Sequence, residues 1–178
     1  MNQITEKVLQ SLIGKKVGVF VDDSNLYHAY QKYGWRIDFG RFKTFISTYC
    51  DLKFIKYYIA IPDKSDAIFA KTEKFLQKIK PFVFLRTKPI KYIPIAGKLA
   101  KKADVDVEIT VDVARAVDQL DVVIILSGDS DFLELKNYVV YDKEKIILFI
   151  GYEENMAWEL RQCWHLYLNR IKDEVILQ

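Results

Sequence analysis

Cysteine and histidine are nearly missing from this chain. Two of each occur in 178 residues, Cys50 and Cys163, His28 and His165, so a zinc site of imidazole and thiolate has too few and too scattered ligands. No CxxC pattern or secretory context surrounds the cysteines, and reduced thiols in the cytoplasm are the expectation. Long hydrophobic runs are missing as well. The apolar stretches are strand-length, and the leading MNQITEKVLQ has no hydrophobic signal core, so the sequence predicts a soluble cytoplasmic protein without membrane attachment. Internal repeats and low-complexity segments are absent. With 51% hydrophobic residues the chain is long enough for one core and short for two, and residues 1–178 read as a single domain.

Net charge is small, formally +3, but the charges are sorted along the chain. Lys71 to Lys102 holds ten basic residues and one acid, Glu73, whereas Asp104 to Asp131 holds eight acids and one base, Arg115. Adjacent blocks of opposite sign suggest an acidic pocket beside a basic approach surface.

Strand and helix patterns alternate. Thr5 to Ile13 reads as a short amphipathic helix ending at Gly14, KVGVFV (Lys16 to Val21) as a strand, Trp35 to Cys50 as a helix, and Lys53 to Ile61 as a strand closed by Pro62. Ser65 to Lys80 is helical, PFVFLRT a strand, and Lys88 to Lys102, with two prolines, one glycine and five lysines, a loop or flexible hairpin. Val105 to Leu120 is a helix by periodicity. A buried strand, Val122 to Leu126, a helix from Asp131 to about Tyr141, a strand at Lys145 to Ile150 and a final amphipathic helix from about Asn155 to Ile171 complete the pattern. Such alternation predicts a three-layer α/β/α sandwich with a mainly parallel central sheet.

In such a sheet ligands bind at the carboxyl ends of strands. Two strands here end in acids: KVGVFV runs into Asp22, Asp23, Ser24 and Asn25, and VVIIL into Ser127, Gly128, Asp129, Ser130 and Asp131. On the intervening helix, at about 100° per residue, Val105, Ile109, Val113, Ala116, Val117 and Leu120 form an apolar arc, with Asp106 inside it and Asp112 at its edge. The candidate ligands are therefore Asp22, Asp106, Asp112, Asp129 and Asp131. Converging carboxylates repel one another, and hard divalent cations relieve this, which points to Mg²⁺ or Mn²⁺ rather than a thiolate-loving metal. A carboxylate-bound metal activates water for attack on a phosphodiester, and the basic stretch with Phe69, Phe75 and Tyr92 suits a nucleic-acid backbone. Simpler readings stand beside these: an Asx turn and helix cap for Asp129 and Asp131, a favourable helix-dipole position for Asp106, a solvated turn for Asp23, a solvated helix face for Lys71, Lys74 and Lys78, and core packing for Trp158, Trp164 and Tyr167.

VFVDDSNLY (Val19 to Tyr27), KKADVDVEITVDVARAV (Lys101 to Val117) and VIILSGDSDFLEL (Val123 to Leu135) resemble, in order, the three signature blocks of NYN domains, the LabA-like or DUF88 branch of the PIN-like nuclease superfamily. NMAWELRQCWHLYL resembles the family's last helix more weakly. The resemblance implies a PIN-like, Rossmannoid fold and divalent-metal-dependent cleavage of RNA. Asp22 matches the aspartate of the first block and Asn25 its asparagine; Asp106 and Asp112 match the pair of the second, Asp129 and Asp131 the pair of the third. Asp23 stands where the family usually has glycine, and Ala103-Asp104 replaces the glycine before Val105.

The expected function is thus a ribonuclease using Mg²⁺ or Mn²⁺, with internal cleavage the expected mode. Asp22, Asp106 and Asp129 are the core ligands, Asp131 is a direct or water-mediated one, and Asn25 and Ser127 orient the phosphate or the attacking water. Lys88, Lys91, Lys98, Lys101 and Lys102 are the expected contacts to single-stranded or structured RNA. The alternative from another class is an RNA-binding or regulatory module that keeps the fold without turnover; a phosphotransferase with an aspartate nucleophile ranks behind both. Homodimer formation is left open by the sequence.

Overall fold

The apolar runs become the strands of one parallel sheet. In the computed structural model, which describes residues 2–95 and 98–177 and only the backbone of residues 95, 98 and 99, six strands form this sheet. In chain order, helix α1 (Gln3–Gln10) leads into β1 (Lys16–Asp22), α2 (Asp23–Tyr33), α3 (Phe39–Ser47), β2 (Asp51–Ile61), α4 (Phe69–Ile79) and β3 (Phe84–Pro89). The two strands β4 (Lys91–Ile95) and β5 (Lys98–Lys102) then form a separate antiparallel hairpin. After it come α5 (Asp106–Ala116), β6 (Val122–Leu126), α6 (Leu133–Asn137), β7 (Ile146–Gly151), α7 (Trp158–Arg161), β8 (His165–Tyr167) and α8 (Lys172–Val175).

Side chains of successive strand residues point to opposite faces, and this sheet is covered on both. Val17, Val19 and Val21 of β1, Ile124 and Leu126 of β6, and Leu148 and Ile150 of β7 enter one core with α1, α2, α3 and α8. Phe20, Val123, Ile125, Ile147 and Phe149 enter the other, against Ile109 and Val113 of α5 and Leu135 of α6. The expected α/β/α sandwich is therefore present, and the arc read along α5 is buried at Val105, Ile109, Val113, Val117 and Leu120.

The chain runs outward from β1 to β2 and β3 on one side, and from β6 to β7 and β8 on the other. The reversal falls between β1 and β6, whose register pairs Val21 with Leu126. This is the switch point of an open parallel sheet, and the residues that follow, Asp22 and Ser127, emerge side by side.

Several boundaries differ from expectation. The helix predicted over Trp35 to Cys50 starts only at Phe39, because Asp38 caps it, accepting from the Arg41 N–H at 2.9 Å, and Ile37 forms a strand bridge to Ile176. Before it, Gly34 closes α2 at φ 75°, a left-handed conformation suited to glycine. The irregular segment Lys88 to Lys102 is an ordered pairing, Lys91 with Lys102 and Tyr92 with Lys101. The continuous final helix is absent. Helix α7 has a single turn, and His165–Tyr167 joins the sheet beside β7, burying Leu166 and then Leu168. Trp158 is 70% exposed, not core.

Candidate functional site

Asp22 is the last residue of β1 and caps α2. Its carboxylate is 1% exposed and engaged at both oxygens: Oδ1 accepts from the Ser24 hydroxyl at 2.9 Å and the Asn25 N–H at 3.3 Å, and Oδ2 accepts from the Ser127 hydroxyl at 2.9 Å. Burial raises its pKa, those three donors pull it back, and the nearby Asp129 raises it again. Ser127 is itself buried and receives the Asp129 N–H at 3.2 Å, so one hydroxyl ties the ends of β1 and β6 together.

Asn25 links this strand end to its neighbours. Its Oδ1 accepts from the Gly128 N–H at 2.9 Å and the Asn155 amide at 3.2 Å, so it braces three segments. Gly128 is needed at this junction. A Cβ there would lie 2.5 Å from the Asn155 carbonyl oxygen and 2.9 Å from Met156 Cα, and its carbonyl accepts from the Ala157 N–H at 2.8 Å.

Asp129 caps the short 3-10 turn Ser130–Phe132, accepting from the Asp131 N–H at 3.0 Å. The cap belongs to Asp129; Asp131 follows it with an exposed side chain. Asp106, the first residue of α5, is partly buried. Its pKa is pushed up to about 6, by desolvation first and then by Asp22, Asp129, Asp104 and Asp131. Four carboxylates thus bear on Asp106, and Asp104, which stands where the family has glycine, is one of them.

Asp112 is not brought to this group. Two turns along α5 it is buried and committed elsewhere: Tyr58 donates to Oδ2 at 2.8 Å, Arg86 to Oδ2 at 3.0 Å and to Oδ1 at 3.2 Å, while the Lys56 ammonium lies 3.5 Å from Oδ2 and Arg115 3.6 Å from Oδ1. Burial opposes its charge, but the Tyr58 hydroxyl and the cations of Lys56 and Arg86 outweigh that and hold the carboxyl below its usual range. Its expected place among metal ligands is corrected to that of an anchor between α5 and β2–β3. Asp23 is likewise no solvated turn: it is partly buried and accepts the Tyr57 hydroxyl on Oδ1.

The basic residues are largely paired. Lys88 meets Glu108 at 2.7 Å, Lys101 meets Asp66 at 2.6 Å and Lys102 meets Asp104 at 3.3 Å. Lys91 is exposed on the hairpin, and the Lys98 side chain lies outside the described residues. Solvent screens exposed pairs of this kind, so a phosphate can replace the partner cheaply. The opposite charge blocks thus interlock instead of standing as separate surfaces.

The donor set at the strand ends, carboxylate oxygens with no imidazole or thiolate, fits a hard divalent cation. Among the described residues, however, no group of three or more His, Cys, Asp or Glu stands close enough to hold a metal ion.

The NYN domain model matches residues 16–169 of the chain. The chain belongs to the NYN domain family. As an NYN domain it is a member of the PIN-like nuclease superfamily, whose enzymes generally use divalent metals and act on RNA. It is similar to the Low amplitude and bright protein LabA of Synechococcus elongatus, 24% identical over 160 residues, 86% of this chain and 83% of that protein. Its fold is similar to a crystal structure of a protein of unknown function from Vibrio parahaemolyticus, with a TM-score of 0.73 and 24% identity, covering 92% of this chain and 97% of that one. Among the described residues of this NYN domain no helix is long and apolar enough to cross a membrane.

Proposed function

We propose that this NYN domain, acting as one unit over residues 1–178, is a ribonuclease that uses Mg²⁺ or Mn²⁺ held by Asp22, Asp106 and Asp129, with Asp131 bound directly or through water. The observation that carries this reading is the placement of Asp22 at the end of β1, Asp129 after β6 and Asp106 at the start of α5, at the switch point of the sheet, where desolvation first and then Asp22, Asp129, Asp104 and Asp131 push the Asp106 carboxyl up to about 6. Carboxyls shifted in this way gather at functional sites. When bound, the divalent ion supplies neutralisation of these acids and an activated water for phosphodiester hydrolysis.

The chain's own residues set the geometry. Ser24 and Ser127 hold the two oxygens of Asp22 in a fixed plane, and Ser127 also fixes the start of the Asp129 turn. Asn25 is a positioning residue that locks Gly128, and with it Asp129, to the end of β1. Lys91 and the exchangeable pairs of Lys88, Lys101 and Lys102 would receive the RNA backbone.

Incubation of a labelled single-stranded RNA with Mg²⁺ or Mn²⁺ tests the reading. Cleavage that disappears in EDTA and in a folded Asp129→Asn variant supports it. Binding without cleavage under every divalent metal, across single-stranded and structured RNAs, favours a non-catalytic RNA-binding module instead. That no group of three such acids among the described residues stands close enough to hold a metal ion is what speaks for that second reading.

A further inference from the structure

Beside the carboxylates lies a cavity of about 360 Å³ that the proposed metal chemistry does not use. Its volume falls among small-molecule pockets, roughly 300–1,000 Å³. Asp23 and Ser24, which follow Asp22, and Ala103 and Val105, which precede Asp106, line it, so cavity and carboxylate site share a wall. A nucleotide whose phosphate meets a divalent ion held at Asp22 and Asp106 would therefore have this space for its base.

The lining is that of a base pocket. Tyr27, 44% exposed, offers a ring at the rim, and the Arg36 guanidinium stacks 3.7 Å from the centroid of Tyr30 and 5.5 Å from that of Phe75. Arg36 and Lys71 form no salt bridge among the described residues; the Arg36 charge already favours the Asp23 carboxylate, which leaves Lys71 as the cation for an anionic ligand. Aromatic faces with cations between them stack bases of any identity.

Selectivity comes from Asp23. Tyr57 donates to its Oδ1 and fixes the carboxylate, while Oδ2 makes no hydrogen bond among the described residues. A carboxylate accepts only, and guanine alone among the RNA bases presents two adjacent donors, N1–H and N2–H, on its pairing edge. Uracil offers one imino donor, and adenine and cytosine place a ring nitrogen acceptor beside their amine, which a carboxylate repels.

Resting on the ribonuclease reading, we propose that this cavity binds guanine, through Asp23, in the nucleotide adjoining the scissile phosphate. The test is titration of the full chain in EDTA with 5′-GMP, AMP, CMP and UMP, followed by tryptophan fluorescence and calorimetry. GMP is expected to bind about tenfold tighter than AMP, the preference one good bidentate pair supplies. Asp23→Asn should remove the preference, and the rim variant Tyr27→Ala should weaken all four nucleotides together. Equal affinities for the four, or a GMP preference unchanged in Asp23→Asn, overturns the proposal. RNA cleavage with no preference for guanine beside the cut would overturn the pocket and leave the ribonuclease standing. Asp23-dependent GMP binding in a chain that cuts no RNA would do the reverse.

Discussion

Replacing Asp23 by asparagine should make the metal-free protein more stable at neutral pH. Burial raises the Asp23 carboxyl from its ordinary 3.8 to about 6, against the Tyr57 hydrogen bond, and Asp22 adds to it. The folded state therefore binds this proton more tightly than the unfolded one. Below about pH 4 both states are protonated and the residue costs nothing; the cost grows between pH 4 and 6 and is complete above 6. At 1.36 kcal/mol per pH unit the difference is ~3 kcal/mol. Solvent reaching a partly exposed carboxylate at a cavity wall reduces the expected figure to ~1–2 kcal/mol. Asparagine retains an oxygen for the Tyr57 hydroxyl and carries no charge. Urea unfolding in EDTA, followed by the fluorescence of Trp35, Trp158 and Trp164, should show the variant more stable than the parent at pH 7.5 by that amount and equal to it at pH 4. In thermal melts the same gain is about 3–6 °C. A variant less stable at pH 7.5, or a difference independent of pH, would refute the reasoning.

Asp112→Ala should cost ~3–5 kcal/mol, because it strands the buried Tyr58 hydroxyl and leaves Lys56 and Arg86 without their acid; chemical denaturation with the metal-free protein measures it. Since this carboxyl is held below its usual range, its contribution is present above about pH 4 and fades as pH falls below that. Gly128→Ala should destabilise by ~2 kcal/mol or more through the clash with the Asn155 carbonyl, and should depress RNA cleavage beyond the loss of folded protein, since Asn25 grips Gly128; cleavage normalised to folded fraction separates the two. Saturating Mn²⁺ should raise the melting temperature by more at pH 7.5 than at pH 5, because Asp106 must lose a proton held up to about 6; Asp106→Asn should abolish the rise, and an equal rise in that variant would place the ion elsewhere.

How far the sequence foretells this depends on the kind of signal. Runs such as VVIIL and the helical arc of α5 declare themselves because burial imposes a period on the chain, and the acids at two strand ends follow from the parallel topology. The stretch from about Asn155 to Ile171 misleads because Leu160, Leu166, Leu168 and Ile171 are compatible with a helical period, whereas the alternation in HLYL marks the strand His165–Tyr167, set by pairing with Phe149 to Gly151. Asp112 misleads for a related reason. Its position on α5 predicts an inward carboxylate, but which partners meet it depends on Lys56 and Tyr58 of β2 and Arg86 of β3, brought close only by the sheet. The bracing roles of Asn25 and Asn155, 130 residues apart, have no local signature at all.

The central claim is that Asp22, Asp106 and Asp129 share a divalent ion. A crystal soaked in Mn²⁺ and measured at the manganese absorption edge examines it directly. The account predicts an anomalous peak bounded by those three carboxylates at the ends of β1 and β6; manganese density confined to other sites, or none at saturating Mn²⁺, would contradict it.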